Sequence, residues 1–416
     1  MTNLNSEKLS IIHIEGSRIA QEEYISLTEK DYGITLKYYL TYLCNEQSKL
    51  KNKLIGILFS KDGKSLVIER RDRYILLFLP TTFQLPFRLK KIYKNPINPT
   101  LFSNIIKMKP QIVNLHGLFT YYLSYLFLIP LLKIKKIKIF SFIRGQDPIF
   151  SFIKTQEKVK TVQKFLYLFL YIIQFILCKF SDVIICQNKR VGYLLQKYKL
   201  SKKNKIRFVP NGVDLKLFTP MKREFCLKKL NLDPDCRYIL MVNRINFHQK
   251  DILTVLESLK DLFLMNEKIK IIIIGDGPDL PKLEKFIKEN NLLNKVIHLK
   301  FVHYNKMPLY YNSADCFILH SKFEGMPKVI LESFACKTPV ISSDLHSTRF
   351  LVKPKKTGIL VEFQNRNQII EAVKMIFSDE NQRTNMINNA YNFIQNFSWR
   401  RISNYLIKLY KKALRK

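Results

Sequence analysis

From about residue 238 to residue 361, short apolar runs alternate with stretches of helical periodicity. No other feature of the chain restricts its fold as much. Strands are expected over Tyr238–Val242, Lys270–Ile274, Val296–Phe301, Asp315–Leu319, Pro339–Ser342 and Gly358–Val361. Helices are expected over Asp251–Leu264, Pro281–Glu289, Lys306–Asn312 and the stretch that follows Glu324. Strands that alternate with helices argue for βαβ units and a parallel, doubly wound sheet. Such a sheet binds ligands at the carboxyl ends of its strands. Arg244, Gly275, Glu324 and Asp344 each fall just after an expected strand, so they should converge on one edge.

The first half repeats the theme less clearly. Candidate strands are Leu9–Ile14, Leu54–Phe59, Tyr74–Leu79, Ile112–Leu115, Ile137–Phe142 and Val183–Cys186, with a helix over Thr35–Leu43. The halves meet at Phe208-Val-Pro-Asn-Gly-Val-Asp214, where Pro and Asn-Gly mark a turn. The expected fold class is therefore α/β, with two Rossmann-like doubly wound domains. Their expected bounds are residues 1–207 and 208–396.

The segment Glu324-Gly-Met-Pro-Lys-Val-Ile-Leu-Glu332 concentrates the chemistry. Pro327 suits the first position of a helix, where its missing N–H costs nothing. Val329, Ile330, Phe334 and Ala335 give that helix a buried face. The free N–H groups near Met326 to Val329, aided by the helix dipole, make an anion site. Gly325 lets a ligand approach the backbone. Glu324 on one side of the anion and Glu332 on the other suit vicinal hydroxyls, because one carboxylate accepts two hydrogen bonds. Taken alone, two glutamates at this spacing also arise by chance on solvated helices.

Charge narrows the partners. The formal net charge of the 416 residues is +37. Such a field attracts nucleotide sugars, lipid head groups or nucleic acid; a compositional preference for lysine would produce it too. Two basic clusters favour an anionic membrane surface: Lys133, Lys135, Lys136 and Lys138, and Arg88, Lys90, Lys91 and Lys94. Seven cysteines include no CxxC pair, which points to no zinc or redox motif. The amino-terminal residues lack the apolar core of a signal peptide. The apolar runs Gly117–Leu132 and Phe165–Cys178 fall short of a bilayer span, so core helices are expected, with shallow membrane docking as the alternative.

These residues together resemble the family-4 retaining glycosyltransferases of the GT-B type. The match is strongest over about 205–365. Val209–Asp214 resembles the family's interdomain segment, and Val242-Asn-Arg-Ile-Asn-Phe-His-Gln-Lys250 its phosphate-binding stretch. Ile274-Gly-Asp-Gly-Pro278 is similar to its glycine turn, and His320 to Asp344 to its Glu-x7-Glu region. Phe397-Ser-Trp-Arg400 is similar to the start of a C-terminal helix that returns to the first domain, over about 397–416.

The resemblance implies two domains facing across a cleft, closure about Val209–Asp214, and a nucleotide-diphosphate sugar as donor. Arg244 and Lys250 would neutralise the diphosphate and the charge developing on the leaving group. Glu324 would contact the transferred sugar, and Glu332 the ribose. Gly275, Gly325, Met326, Pro327, Lys328 and Val329 would complete the donor site. His116, in Ile112-Val-Asn-Leu-His-Gly117, would sit near the anomeric carbon. Gly33 and Asp147 are acceptor-side candidates. No metal and no cofactor are expected, since no Asp-x-Asp pair stands at a suitable strand end. The implied acceptor is a glycan or lipid-linked sugar in surface polysaccharide synthesis, made in the cytoplasm or on the inner membrane face.

Departures from the pattern concentrate on the acceptor side. Only Gly33 precedes the Thr35 helix, where many members carry Gly-Gly. Arg144 stands in place of a histidine, His320 of a proline, Lys300 and Lys337 of glycines, and Leu345–Arg349 of a glycine-containing loop. Two other classes fit parts of the sequence. A sugar-nucleotide-binding protein without catalysis would suit the altered loops, and a nucleic-acid-binding protein would suit the charge, although no recognition motif for specific nucleic acid is present.

Overall fold

The computed structural model describes residues 9–19, 47, 53–60, 67–71, 74–79, 99–116, 122–143, 161–265 and 268–415. Gly33, Asp147, Arg144, Gly117, the expected helix over Thr35–Leu43 and the cluster from Arg88 to Lys94 lie outside the described residues. Two compact units result. One takes described residues up to Pro210 and from Trp399 onward, and the other takes Asn211–Ser398. Each is a Rossmann-like α/β domain.

The first unit holds a sheet in the order β3-β4-β2-β1-β5-β6-β7-β8. Its strands are β1 (Ser10–Ile19), β2 (Lys53–Ser60), β3 (Val67–Arg71), β4 (Tyr74–Leu79), β5 (Ile112–His116), β6 (Lys138–Ile143), β7 (Val183–Cys186) and β8 (Ile206–Phe208). All pairs are parallel except β3 with β4. The sequence reading does not anticipate β3 or β8. The first carries three charged residues in five, and the second is only three residues long, so neither forms an apolar run.

Four helices of this unit are α1 (Pro99–Met108), α2 (Tyr122–Ile134), α3 (Thr161–Phe180) and α4 (Lys189–Lys197). Successive strand residues point to opposite faces. Ile12, Val113, Ile139 and Ile184 pack on one face with Tyr125, Leu128, Leu132, Ile173 and Leu177 from α2 and α3. Ile11, Ile112, Phe140 and Ile185 are buried on the other face. The described parts of the two long apolar runs, 122–132 and 165–178, are helical and place side chains in this core. Among the described residues no helix is long and apolar enough to cross a membrane.

The second unit holds α5 (Arg223–Leu230), β9 (Arg237–Val242), α6 (Ile252–Met265), β10 (Ile269–Ile274), α7 (Leu280–Glu289), β11 (Val296–Leu299), α8 (Met307–Ser313) and β12 (Cys316–Leu319). It continues with α9 (Lys328–Ala335), β13 (Val340–Ser343), β14 (Ile359–Val361), α10 (Arg366–Ser378) and α11 (Glu380–Ile394). The strand order is β11-β10-β9-β12-β13-β14, with every pair parallel. The chain runs outward from β9 to β10 and β11, then returns to β12 on the other side of β9. The order reverses between β9 and β12, and a crevice opens at the carboxyl ends of such a pair.

Both faces of this sheet are covered as well. Ile239, Met241, Ile271 and Ile318 pack under α6, α7 and α10, whereas Tyr238, Leu240, Ile272 and Phe317 pack under α8, α9 and α11. The last helix, α12 (Trp399–Leu414), belongs to the first unit. It places Trp399, Ile402, Leu406 and Tyr410 on the face formed by Ile11, Ile112, Phe140 and Ile185. The six described cysteines are buried.

Candidate active site

The site begins with the glycine turn that leaves β10. Gly275 has φ +146°, and a Cβ there would lie 1.7 Å from the carbonyl oxygen of Asn243. A Cβ on Gly277 would lie 2.1 Å from the carbonyl of Ile245. Only glycine permits this approach. Backbone hydrogen bonds then join the turn to the loop after β9, from Asn243 N–H to the Ile274 carbonyl (3.0 Å) and from Ile245 N–H to that of Asp276 (2.9 Å). Asp279 continues the clasp, its Oδ2 accepting from the Phe247 N–H at 2.9 Å. The glycine turn thus shapes the loop that carries Arg244 and Lys250. Arg244 is exposed.

The same loop is tied to the segment after β12. Asp251 N–H donates to the His320 carbonyl at 3.1 Å and Lys322 N–H to that of Gln249 at 2.9 Å, while Gln249 Nε2 reaches the Phe323 carbonyl at 3.2 Å. These bonds bring Lys250 onto Glu324 in an ion pair between Nζ and Oε1. The two side chains are only 12% and 9% exposed. Little water screens the pair, and removing one partner would strand a charge.

His320 supports this segment from below. It is fully buried, and its ring stacks on Phe363. Its Nε2 accepts from the Gln364 N–H at 3.0 Å, so Nδ1 carries the proton and donates to Ser343 Oγ at 3.1 Å. Ser343 Oγ also accepts from the Ser321 N–H at 2.8 Å. Burial holds the imidazole pKa below its ordinary value, opposed by the nearby Asp251 charge. His320 thus takes structural work at the position where a proline is usual in the resembling family.

Gly325, Met326 and Pro327 carry the chain into α9. Pro327 is the residue just before the helix (φ −70°, ψ 115°), one step earlier than the first helical position the sequence suggested. No side chain caps the helix start, and the first N–H groups of a helix have no acceptor within the helix itself. Asn211 fixes the approach, donating from Nδ2 to the Met326 carbonyl at 2.8 Å. Lys328 and Val329 open the helix half-buried.

Glu332 lies farther along α9 and is buried. Its Oε1 accepts from the Tyr304 hydroxyl and its Oε2 from the Tyr311 hydroxyl, each at 3.0 Å. Burial pushes its carboxyl pKa up, against the pull of the Tyr304 bond, the Lys328 charge and the Tyr311 bond. Asp344, at the end of β13, pairs with Arg349 through Oδ2 at 2.7 Å.

His116 lies at the carboxyl end of β5 in the first unit. It is fully buried, its ring stacked on Phe142 at 4.2 Å between centroids, and its carbonyl accepts from the Tyr125 hydroxyl at 2.9 Å. Among the described residues no group of three or more His, Cys, Asp or Glu could hold a metal ion.

Sequence reasoning missed Asn211, Asp279, Tyr304 and Tyr311. Asn211 was visible within the 209–214 segment, but no pattern linked it to Met326. The tyrosines stand 28 and 21 residues before Glu332, on elements that only the fold brings beneath it.

Comparison with known proteins gives this arrangement a family. Residues 222–393 match the model described as glycosyl transferases group 1, and residues 38–217 match that described as glycosyltransferase family 4. The chain belongs to the GT-B glycosyltransferases of this group. It is 31% identical over 210 residues to the alpha-monoglucosyldiacylglycerol synthase of Streptococcus pneumoniae, covering 49% of this chain and 47% of the relative. It is 29% identical over 238 residues to an Escherichia coli UDP-Gal:alpha-D-GlcNAc-diphosphoundecaprenol alpha-1,3-galactosyltransferase, covering 56% and 59%. The chain thus spans about half the length of the curated relatives it matches. In fold it is similar to the sucrose-phosphate synthase of Thermosynechococcus elongatus, with TM-score 0.75 and 19% identity over 97% of this chain and 98% of that one.

Proposed function

We propose that the protein transfers a sugar from a nucleoside-diphosphate sugar to a hydroxyl acceptor, with retained anomeric configuration and without a metal ion. One observation carries this reading. The Lys250–Glu324 pair, the glycine turn and the uncapped start of α9 meet at the β9/β12 switch point, with the buried Glu332 carboxylate on the same helix. A diphosphate at the helix start would meet the first N–H donors of α9, with Lys250 and Arg244 as the cations beside it.

The chemistry follows from that placement. As the bond from the anomeric carbon to the diphosphate breaks, negative charge grows on the leaving oxygen. Lys250 and Arg244 stabilise that charge in place of a divalent cation. Glu324, held by Lys250, accepts hydrogen bonds from hydroxyls of the transferred sugar. Glu332 accepts them from the ribose. Two-carboxylate hydrolysis fits poorly, because Glu332 is committed to the nucleotide.

The acceptor is proposed to be lipid-linked or part of a surface glycan. Two relatives support this, one an alpha-monoglucosyldiacylglycerol synthase and the other an alpha-D-GlcNAc-diphosphoundecaprenol galactosyltransferase. The protein would then work on the inner membrane face. Support comes from the first unit, where α2 exposes Phe127, Pro130 and Ile134 along one side and α3 exposes Leu168, Ile172 and Phe175. Exposed Lys135, Lys136 and Lys179 border them.

Purified protein offered a panel of nucleotide sugars should release a nucleoside diphosphate with at least one of them. Turnover should persist in excess chelator, and NMR of the glycoside formed with an added hydroxyl acceptor should show the donor's anomeric configuration. Loss of turnover in chelator, or an inverted product, would contradict the corresponding part of the proposal.

A further inference from the structure

The two acidic groups of the site are held in opposite ways. Glu324 is ion-paired with Lys250. Glu332 is held by two neutral hydroxyls, one on each carboxylate oxygen. An ionised carboxylate has about four acceptor sites. One donor per oxygen leaves one site open on each, and two adjacent acceptors match a pair of vicinal hydroxyls. Neutral donors also leave the anion's charge available to strengthen a ligand's hydrogen bonds.

The two tyrosines are built in differently. Tyr311, on α8, is fully buried, and its own carbonyl accepts from Thr338 Oγ1 at 2.6 Å. Tyr304 sits in the single turn Tyr304–Lys306 after β11 and is half-buried. The Phe218 ring packs edge-on to both, at 5.2 Å from Tyr304 and 6.0 Å from Tyr311. Tyr311 is thus an anchor inside the core. Tyr304 reaches the carboxylate from a surface turn.

We infer that Tyr304 is a positioning residue for the donor nucleotide: its hydroxyl fixes Glu332 so that the carboxylate selects a ribose with its vicinal hydroxyls intact. The inference rests on the donor-site reading above and adds a residue that sets its selectivity for the sugar of the nucleotide. Tyr304 acts through Glu332. A carboxylate free to turn about its last bond would offer its acceptor sites in many directions, and the ligand would have to order it on binding.

The test uses the full chain with the tightest binder among UDP, GDP, CDP and ADP, together with that nucleotide's 2′-deoxy form. Wild type should prefer the ribonucleotide by about tenfold or more, as expected of a site that would leave a buried acceptor unmet. Tyr304→Phe keeps the ring against Phe218 and removes only the hydroxyl. Its affinity for the ribonucleotide should fall about tenfold, the scale of one hydrogen bond to a charged group. Affinity for the 2′-deoxy form should change much less, so the preference collapses.

The pH dependence should also move. The Tyr304 bond favours the ionised carboxyl. Without it the anion is lost at a higher pH, so binding in the variant should weaken earlier as the pH falls from neutral. A residue with only a structural role would shift neither the preference nor the pH profile. Unchanged affinities in Tyr304→Phe, or an equal loss for both nucleotides with an unmoved profile, would overturn the inference while leaving the donor site standing. Failure of the wild type to bind any of the four nucleotides would overturn both.

Discussion

Lys250 and Glu324 are 74 residues apart in the chain, and the fold makes them an ion pair almost without water. Each is legible in the sequence as a candidate site residue, because each follows a strand by a short loop. The pairing is not, since it depends on β9 and β12 being neighbours although β10 and β11 intervene in sequence. Glu332 has a different energetic position. Its carboxyl pKa is raised in the fold, so its contribution to stability is present in full below the unfolded value and is lost as the pH rises through the folded one. The ionised form is therefore the costly one in the fold, and the proposed donor site would require it. Glu332→Gln should melt at or above the wild-type temperature near neutral pH, while nucleoside-diphosphate affinity falls about tenfold or more. Calorimetry beside thermal unfolding would check both, and a variant that melts much lower would show the carboxylate to be a structural anchor.

The elements of the second unit were largely legible because strands buried on both faces read as unbroken apolar runs. Tyr238–Val242 and Lys270–Ile274 each gained one residue at the start, and Val296–Phe301 ended two residues early at Leu299. What stayed hidden was short or polar, such as β3 and β8, or carried no pattern, such as the turn that bears Tyr304. At this scale α2 and α3 matter most. Their inward residues fill the core, and their outward ones leave apolar side chains in water, Ile134 at 76% and Phe127 at 59% exposed. Exposed apolar side chains beside lysines would suit the proposed contact with an anionic membrane surface. The protein should co-sediment with vesicles rich in phosphatidylglycerol. A double variant, Ile134→Ser with Leu168→Ser, should reduce that partition by about tenfold, since each exchange removes apolar area that the bilayer would bury. Equal partition of variant and wild type would remove these helices from the membrane account.

Across the whole molecule, the formal charge of +37 and the two Rossmann-like units would act at different ranges in the proposed reaction. The charge raises the local concentration of any anionic donor or surface. In the proposed reaction the second unit then selects at short range, through the Lys250–Glu324 pair, the α9 start and Glu332. The sequence was informative about this unit because its chemistry lies in local motifs at strand ends. It was less so for the first unit, where the described part of the candidate site is His116, buried against Phe142. The most direct measurement is release of nucleoside diphosphate from the preferred nucleotide sugar by wild type and Glu324→Ala, with folding of each verified by its melting profile. The account predicts turnover in the wild type and a loss of about a hundredfold or more in the folded variant. Equal turnover in the two, or none in the wild type with any nucleotide sugar, would contradict it.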